Sequence, residues 1–486
     1  MLLLGVARTR LRMNTTSILK TRIKKYSIKG SGSGPSSNPA RNFTVAVVVG
    51  APSLWWLLTS HDNVPLHDVP LLDSPPTEHC GIEPSSSKND VTRIISQGAY
   101  SFPIGNVVGV SRYDGAQLAS NSPCEDRFTH GKFPSPSIEG NQWMAWGVFD
   151  GHSGCQTAEL LKEQLLPFVR HSLNQVKPSL DEDSLPVESV QRAIMDGFVK
   201  LDDSIIKTAV DTAQSGLSLQ EKVKRLAPAH AGSCALLSMY DPISSWLHVA
   251  CTGDSRAVLG QKGSDGKWEV ILLSEDQNGS NYEEIARLQK EHPGEDNIVK
   301  HGRVLGIMVS RAFGDARWKW PLEFQEDVKR RFFGPAPLTP RYEIKTPPYL
   351  TARPVVTSVK IDPTKPSFLI MATDGLWDLL YNGQAVDLVG DWLESEKKTN
   401  SNLESTYKPF DFSQCWDDPP VYSRFVKERT TVQDDNAAVH LVRNALGGNH
   451  HEMIAGRLAF SAPSSRNVRD DITVQVAFFN VPDKKK

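Results

Sequence analysis

The sequence predicts an α+β fold organised around at least one largely antiparallel sheet. Apolar runs of strand length recur at Trp143–Phe149, Cys234–Met239, Trp246–Cys251, Phe368–Ala372 and Ile472–Phe479. Several of these runs have no long helix between them, which favours direct antiparallel pairing over parallel crossovers. Amphipathic helical patterns are interspersed with them. Val190, Ile194, Phe198, Leu201 and Ile205 recur at steps of four, four, three and four, so 187–207 predicts a helix.

Two more helices carry terminal signals. Asn281, with Glu284 three residues on, predicts a capping box for a helix bearing Ile285 and Leu288 and ending near His292–Pro293. Ala437, Ala438, Leu441 and Ala445 form another helical face, closed by Gly447 and Gly448.

The 486 residues carry a formal net charge of -2, with 39% hydrophobic and 23% charged residues. That balance excludes collagen-like, coiled-coil, wholly disordered and polytopic membrane chains. It also gives no electrostatic basis for nucleic-acid binding. The charge is unevenly placed. Residues 1–60 hold nine Arg and Lys and no acid, leaving 45 basic against 56 acidic residues for the rest. The six cysteines, at 80, 124, 155, 234, 251 and 415, form no CxxC pair, so free thiols in a reducing compartment are expected.

Residues 1–42 read as a mitochondrial targeting peptide followed by a Gly/Ser linker, because basic residues and Ser/Thr are dispersed without acids. The apolar segment 43–60 lies at the short limit for a membrane span and is interrupted by Gly50 and Pro52. It reads either as an inner-membrane anchor or as a segment removed in processing or packed on the domain. Residues 61–90, with Pro65, Pro70, Pro75, Pro76 and Pro84, read as a linker, and 91–482 as one globular domain.

The chemistry is expected where aspartates meet strand ends. Asp150-Gly151-His152, Asp254 and Asp374-Gly375 each follow an apolar run, with Asp378 four residues beyond Asp374. Asp470-Asp471 precede the last run, and Glu125-Asp126 precede Arg127. One Asp-Gly after a strand is an ordinary turn. Several at the ends of strands in one sheet could cluster, and clustered carboxylates need protons or metal to neutralise them. Oxygen ligands without Cys or paired His favour Mg²⁺ or Mn²⁺ over zinc. Asp150 is a candidate bridge between two ions, with the Gly151 carbonyl as a neutral ligand. His152 beside it is a candidate proton donor for a poor leaving group.

These residues resemble the type 2C metal-dependent protein Ser/Thr phosphatases. The motifs are CEDRF (124–128), GVFDGHSG (147–154), GSCALL (232–237), CTGDSRAVLG (251–260), SRAFGD (310–315), MATDGLWDLL (371–380) and RDDITV (469–474), in family order. EEIARLQKEHP (283–293), RVLGIMVSRAFGDARWKW (303–320) and TPPYLTARPVVTSV (346–359) are similar to the family's mitochondrial pyruvate dehydrogenase phosphatase branch.

The resemblance implies two packed antiparallel β-sheets flanked by helices. It implies Asp150 bridging two Mg²⁺ or Mn²⁺ ions, with Asp374 and Asp470 completing one site and Gly151 and Glu125 serving the other. Asp126 is a further candidate ligand, and Asp254 and Asp378 match positions for a third ion. His152 would be the general acid, and a water bridging the metals would attack phosphorus.

Many family members carry a phosphate-binding Arg where this chain has Asn121. That leaves Asn121 and Arg127 as candidate phosphate contacts. The implied partner is a phosphoprotein, pyruvate dehydrogenase above all, with the lipoyl-bearing core of its complex and the inner membrane as further expected contacts. A phosphatase of an intermembrane-space phosphoprotein and a non-catalytic phosphoprotein binder stay open. Residues 381–466 read as a partner surface or a tolerated insertion.

Overall fold

The computed structural model describes residues 87–136, 138, 140–177, 185–395 and 425–481. The targeting, anchor and most of the linker readings fall on residues outside these. Among the described residues, no helix is long and apolar enough to cross a membrane.

Two antiparallel sheets form the centre. One has six strands, in the order Tyr100–Pro103, Val110–Leu118, Ile472–Phe479, Ser367–Ala372, Arg256–Lys262 and Trp268–Leu272. The other has five, in the order Val355–Lys360, Trp246–Thr252, Ala235–Asp241, Gln142–Phe149 and Arg127–Pro134. The expected α+β class and its pair of packed antiparallel sheets are both present.

Strand alternation explains the packing. In Gln142–Phe149, the side chains of Met144, Trp146 and Val148 enter a core shared with Leu259, Leu369, Met371, Ala477 and Phe479 of the other sheet. Trp143, Ala145 and Phe149 point the other way, onto helices Gln156–Leu173 and Val187–Gln214. The six-stranded sheet does likewise. Phe368, Ile370, Val474 and Val476 pack against helices Lys88–Ile95, Asn382–Ser395 and Ala437–Leu446. Strands buried on both faces have no polar face to show, so they read as continuous apolar runs.

The predicted helices form, with shifted limits. Val187–Gln214 runs past 207 because Ala209, Thr212 and Ala213 continue the buried stripe with side chains too small to signal it. Ala437–Leu446 is capped by Asn436, which accepts from the Ala438 and Val439 amides at 2.9 and 3.0 Å, and it ends at Gly447. Helix Lys88–Ile95 takes the last three residues of the segment read as linker. Ser87 and Asp90 make its capping box, and Val91, Ile94 and Ile95 are buried.

Asn281 caps helix Tyr282–Glu291 by accepting from the Glu283 and Glu284 amides at 2.9 and 3.3 Å. The expected capping box does not close. Glu284 is instead buried against Arg287, Arg311 and Ser310. Two guanidinium groups hold its carboxylate more strongly than one exposed amide could.

Candidate active site

Antiparallel pairing sets the end of one strand beside the start of the next. In the five-stranded sheet Phe149 pairs with Arg127, so Asp150 lies next to Glu125-Asp126. Thr252 pairs with Ala235, which sets Asp254 beside Cys234. In the six-stranded sheet Ala372 pairs with Val474, so Asp374 lies near Asp470-Asp471. The two sheets meet at this edge, where carboxylate oxygens of Asp150, Asp254 and Asp374 lie within 4.8 Å of one another.

Both Asp-Gly pairs have a steric reason. A Cβ on Gly151 would lie 2.2 Å from the Glu125 carbonyl oxygen, and one on Gly375 would lie 2.1 Å from that of Asp471. Each glycine lets a second acid-bearing loop close onto the site.

The electrostatics are those of a site lacking counter-charge. Burial pushes the Asp150 and Asp374 carboxyls well above the carboxylate range. Asp374 adds to the push on Asp150, and Asp254 to the push on Asp374. Asp254 is raised too, burial outweighing the hydrogen bond from the Cys234 thiol at 3.2 Å. Three hard oxygen donors, converging and destabilised as anions, fit a divalent cation of the Mg²⁺ or Mn²⁺ type.

The remaining predicted residues surround this triad. Glu125 accepts from the Gly154 amide at 2.6 Å, and Asp470 accepts from Arg466 at the same distance. Burial raises both carboxyls. Asp378 is also raised, by burial first and then by Asp470 and Asp276. Asp254, which the resemblance matches with Asp378 to a third position, also lies in the group with Asp150 and Asp374.

Three of the predicted residues are held by other partners. Asp126 is buried, and its Oδ2 accepts from the Thr373 and Thr473 hydroxyls at 2.9 and 2.8 Å. The Arg127 guanidinium pairs with Glu159 and donates to the Cys124 and Asp126 carbonyls. The Asn121 side chain donates to Asp471 at 2.8 Å. Asp471 also accepts from the Ser120, Asn121 and Glu125 amides and so organises the loop that presents Glu125.

His152 lies beside the acids, and its Nε2 is 2.6 Å from Oδ2 of the buried Asp315. Burial alone would lower the imidazole pKa, but Asp315 outweighs it and the net direction is upward. Asp315 sits in the left-handed region, with φ 45° and ψ 39°. A Cβ on Gly232 would collide with both His152 Nε2 and Asp315 Oδ2, at 2.2 and 2.4 Å. Sequence reasoning quoted the SRAFGD segment but gave Asp315 no role. A loop Asp 163 residues from its partner offers no local pattern.

Four of the cysteines, at 124, 155, 234 and 251, are free as expected, and the other two lie outside the described residues.

This arrangement can bind divalent cations beside a proton donor, which suits hydrolysis of a phosphate ester. Comparison with known proteins agrees. The family model described as protein phosphatase 2C matches residues 115–408. A protein phosphatase 2C homolog of Schizosaccharomyces pombe is 43% identical over 379 residues, covering 77% of this chain and 82% of that protein. A mitochondrial protein of Saccharomyces cerevisiae, named [pyruvate dehydrogenase [acetyl-transferring]]-phosphatase 1, is 38% identical over 413 residues, covering 76% of this chain and 69% of its own. The Homo sapiens protein of the same name is 31% identical over 461 residues, covering 80% and 82%. With its acid-lined sandwich edge and these matches, the chain belongs to the protein phosphatase 2C family and is a metal-dependent protein serine/threonine phosphatase.

Proposed function

We propose that this phosphatase acts in the mitochondrion on phosphorylated pyruvate dehydrogenase. Its site would use Asp150, Asp254 and Asp374 as the central ligands of two divalent ions, with a third as the expected upper limit. The observation that carries the site is the convergence of those three carboxylates, one buried and two half-buried, within 4.8 Å. The substrate reading is supported by the names of the yeast and human relatives and by the basic, acid-free leader.

The Gly151 carbonyl, Glu125, Asp470 and Asp378 would complete the ligand set. When bound, such ions lower the pKa of water and neutralise phosphoryl charge. The chain's own residues then do the rest. The Gly154 amide steadies Glu125 through its Oε1 at 2.6 Å. Asp315 accepts the Nε2 proton of His152, which leaves Nδ1 as the atom that protonates the departing serine or threonine oxygen. Asp126, Thr373 and Thr473 tie the two sheets together behind the acids, so the strand ends keep their spacing.

The test uses the full chain with phosphorylated pyruvate dehydrogenase and an unrelated phosphoprotein. Phosphate release requires Mg²⁺ or Mn²⁺, and Asp150→Asn and Asp374→Asn abolish it. Activity that survives a chelator would sink the site. Equal kcat/KM on both phosphoproteins would sink the substrate. Docking on the lipoyl-bearing core belongs to the same proposal. If 43–60 is retained as an anchor, the domain faces the intermembrane space, whereas a matrix domain requires its removal. Protease access in mitoplasts separates the two.

A further inference from the structure

Both residues singled out from sequence for phosphate are engaged elsewhere, Asn121 with Asp471 and Arg127 with Glu159 and two carbonyls, which raises the question of what cation meets the substrate. Among the described residues, four arginines lie within four residues of one of these acids in sequence. Arg127 is taken by Glu159 and two carbonyls. Arg256 forms a two-bond pair with Asp276 at 2.9 and 2.6 Å and donates to Asn382. Arg469 donates to the carbonyls of Arg457, Phe460 and Ala119. Each of these guanidinium groups is held by partners outside the triad and its proposed ligands.

Arg466 differs. Its side chain is 44% exposed, with one nitrogen 2.6 Å from Asp470 Oδ2 and another 3.7 Å from Glu125 Oε2. Both partners belong to the proposed ligand set, so bound divalent ions would share their charge and loosen these pairs.

The backbone beneath Arg466 is fixed. It sits in the 3₁₀ turn Ser464–Asn467, whose buried Ser465 donates its hydroxyl to the Ser120 carbonyl at 2.5 Å. The Ser120 hydroxyl in turn donates to the Arg469 carbonyl at 2.7 Å. The turn is therefore stitched to the loop that carries Asn121. A long side chain with an exposed head rises from it beside the acids.

We propose that Arg466 binds the phosphoryl oxygens of the substrate, an inference that rests on the ligand roles proposed above. The planar fork of a guanidinium matches a phosphate in a way an ammonium does not. In the resting site the same fork rests on Asp470 and Glu125.

The experiment compares the full chain with Arg466→Ala and Arg466→Lys at saturating Mn²⁺. Inorganic phosphate binding is read by calorimetry, Mn²⁺ binding by electron paramagnetic resonance, and KM and kcat on a phosphothreonine peptide. Arg466→Ala weakens phosphate binding and raises KM by about tenfold or more, as loss of a charge-assisted pair should. Its Mn²⁺ affinity is unchanged or tighter. Arg466→Lys recovers part of the loss. Unchanged phosphate affinity, or a loss of Mn²⁺ affinity that accounts for the rise in KM, would overturn the proposal. Wild-type inactivity would count against the site reading, while the phosphate titration would still decide the role of Arg466.

Discussion

Glu284 offers the sharpest test of how helix Tyr282–Glu291 is fastened to the Ser310–Arg311 segment. Its carboxylate accepts from Arg311 at 2.6 and 3.0 Å, from Arg287 at 2.9 and 3.2 Å, and from the Ser310 hydroxyl at 2.7 Å. Glu284→Ala would take from Arg311, whose side chain is 11% exposed, the carboxylate it pairs with, whereas Arg287 keeps Glu291 at 2.7 Å. Removing one partner of a buried ion pair costs about 3–5 kcal/mol. An unfolding entropy of about 2.1 cal/mol/K per residue gives about 0.8 kcal/mol/K for a domain of roughly 390 residues. The midpoint should therefore fall by about 4–6 °C in a thermal melt.

Acid supplies a check on the cause. Burial alone would raise this carboxyl, but Arg311 and Arg287 outweigh it and lower it from 4.5 to about 2. A depressed folded pKa means the folded state binds the proton more weakly. The stabilisation is then complete above the unfolded pKa and is lost as pH falls towards the folded one. The gap between wild type and Glu284→Gln should hold at neutral pH and narrow below about pH 4.5. A Glu284→Ala melt within about 1 °C of wild type would refute the argument, because no burial-based account leaves the Arg311 cation stripped of its carboxylate without cost.

Two further outcomes are expected. Asp315→Asn, a residue type that tolerates the left-handed backbone, should lower kcat about 10²-fold on a phosphoserine peptide and far less on an aryl phosphate, whose leaving group needs no proton; equal losses on both would contradict a proton-donor role for His152. Mn²⁺ at about a hundred times its dissociation constant should stabilise the domain by about 2.7 kcal/mol, or about 3–4 °C, and Asp374→Asn should shrink that shift; an unchanged shift in the variant would remove Asp374 from the ligand set.

What the sequence disclosed follows from where each strand sits. The five runs read as strands all lie in sheet interiors, with neighbours on both sides. All four edge strands escaped: Tyr100–Pro103, Trp268–Leu272, Arg127–Pro134 and Val355–Lys360. An edge strand is partly exposed, and its mixed composition resembles a loop. Two interior strands were also hidden: Val110–Leu118, which carries the pair of half-buried Arg112 and buried Asp114, and Arg256–Lys262, which begins and ends on a basic residue. The site was legible to the same extent. Acids after interior strands could be seen because the strands could. Asp315 and Arg466 could not, since each sits in a loop or turn and gains meaning only through a partner brought in by the fold.

The same topology explains why the acids tolerate one another. Acids at strand ends are carried by backbone already committed to the sheets, so repulsion among Asp150, Asp254 and Asp374 cannot spread them without breaking ladders. Their neighbours are steadied by amides and hydroxyls: Asp471 by the loop 120–125, Asp126 by Thr373 and Thr473, and Glu125 by Gly154. Neutral donors fix a carboxylate's position and leave its charge uncancelled. Arg466 provides cationic charge at the rim, on Asp470 and Glu125, and not on the triad. The fold thus spends stability to keep three uncompensated carboxylates together, a cost that binding of a divalent cation returns.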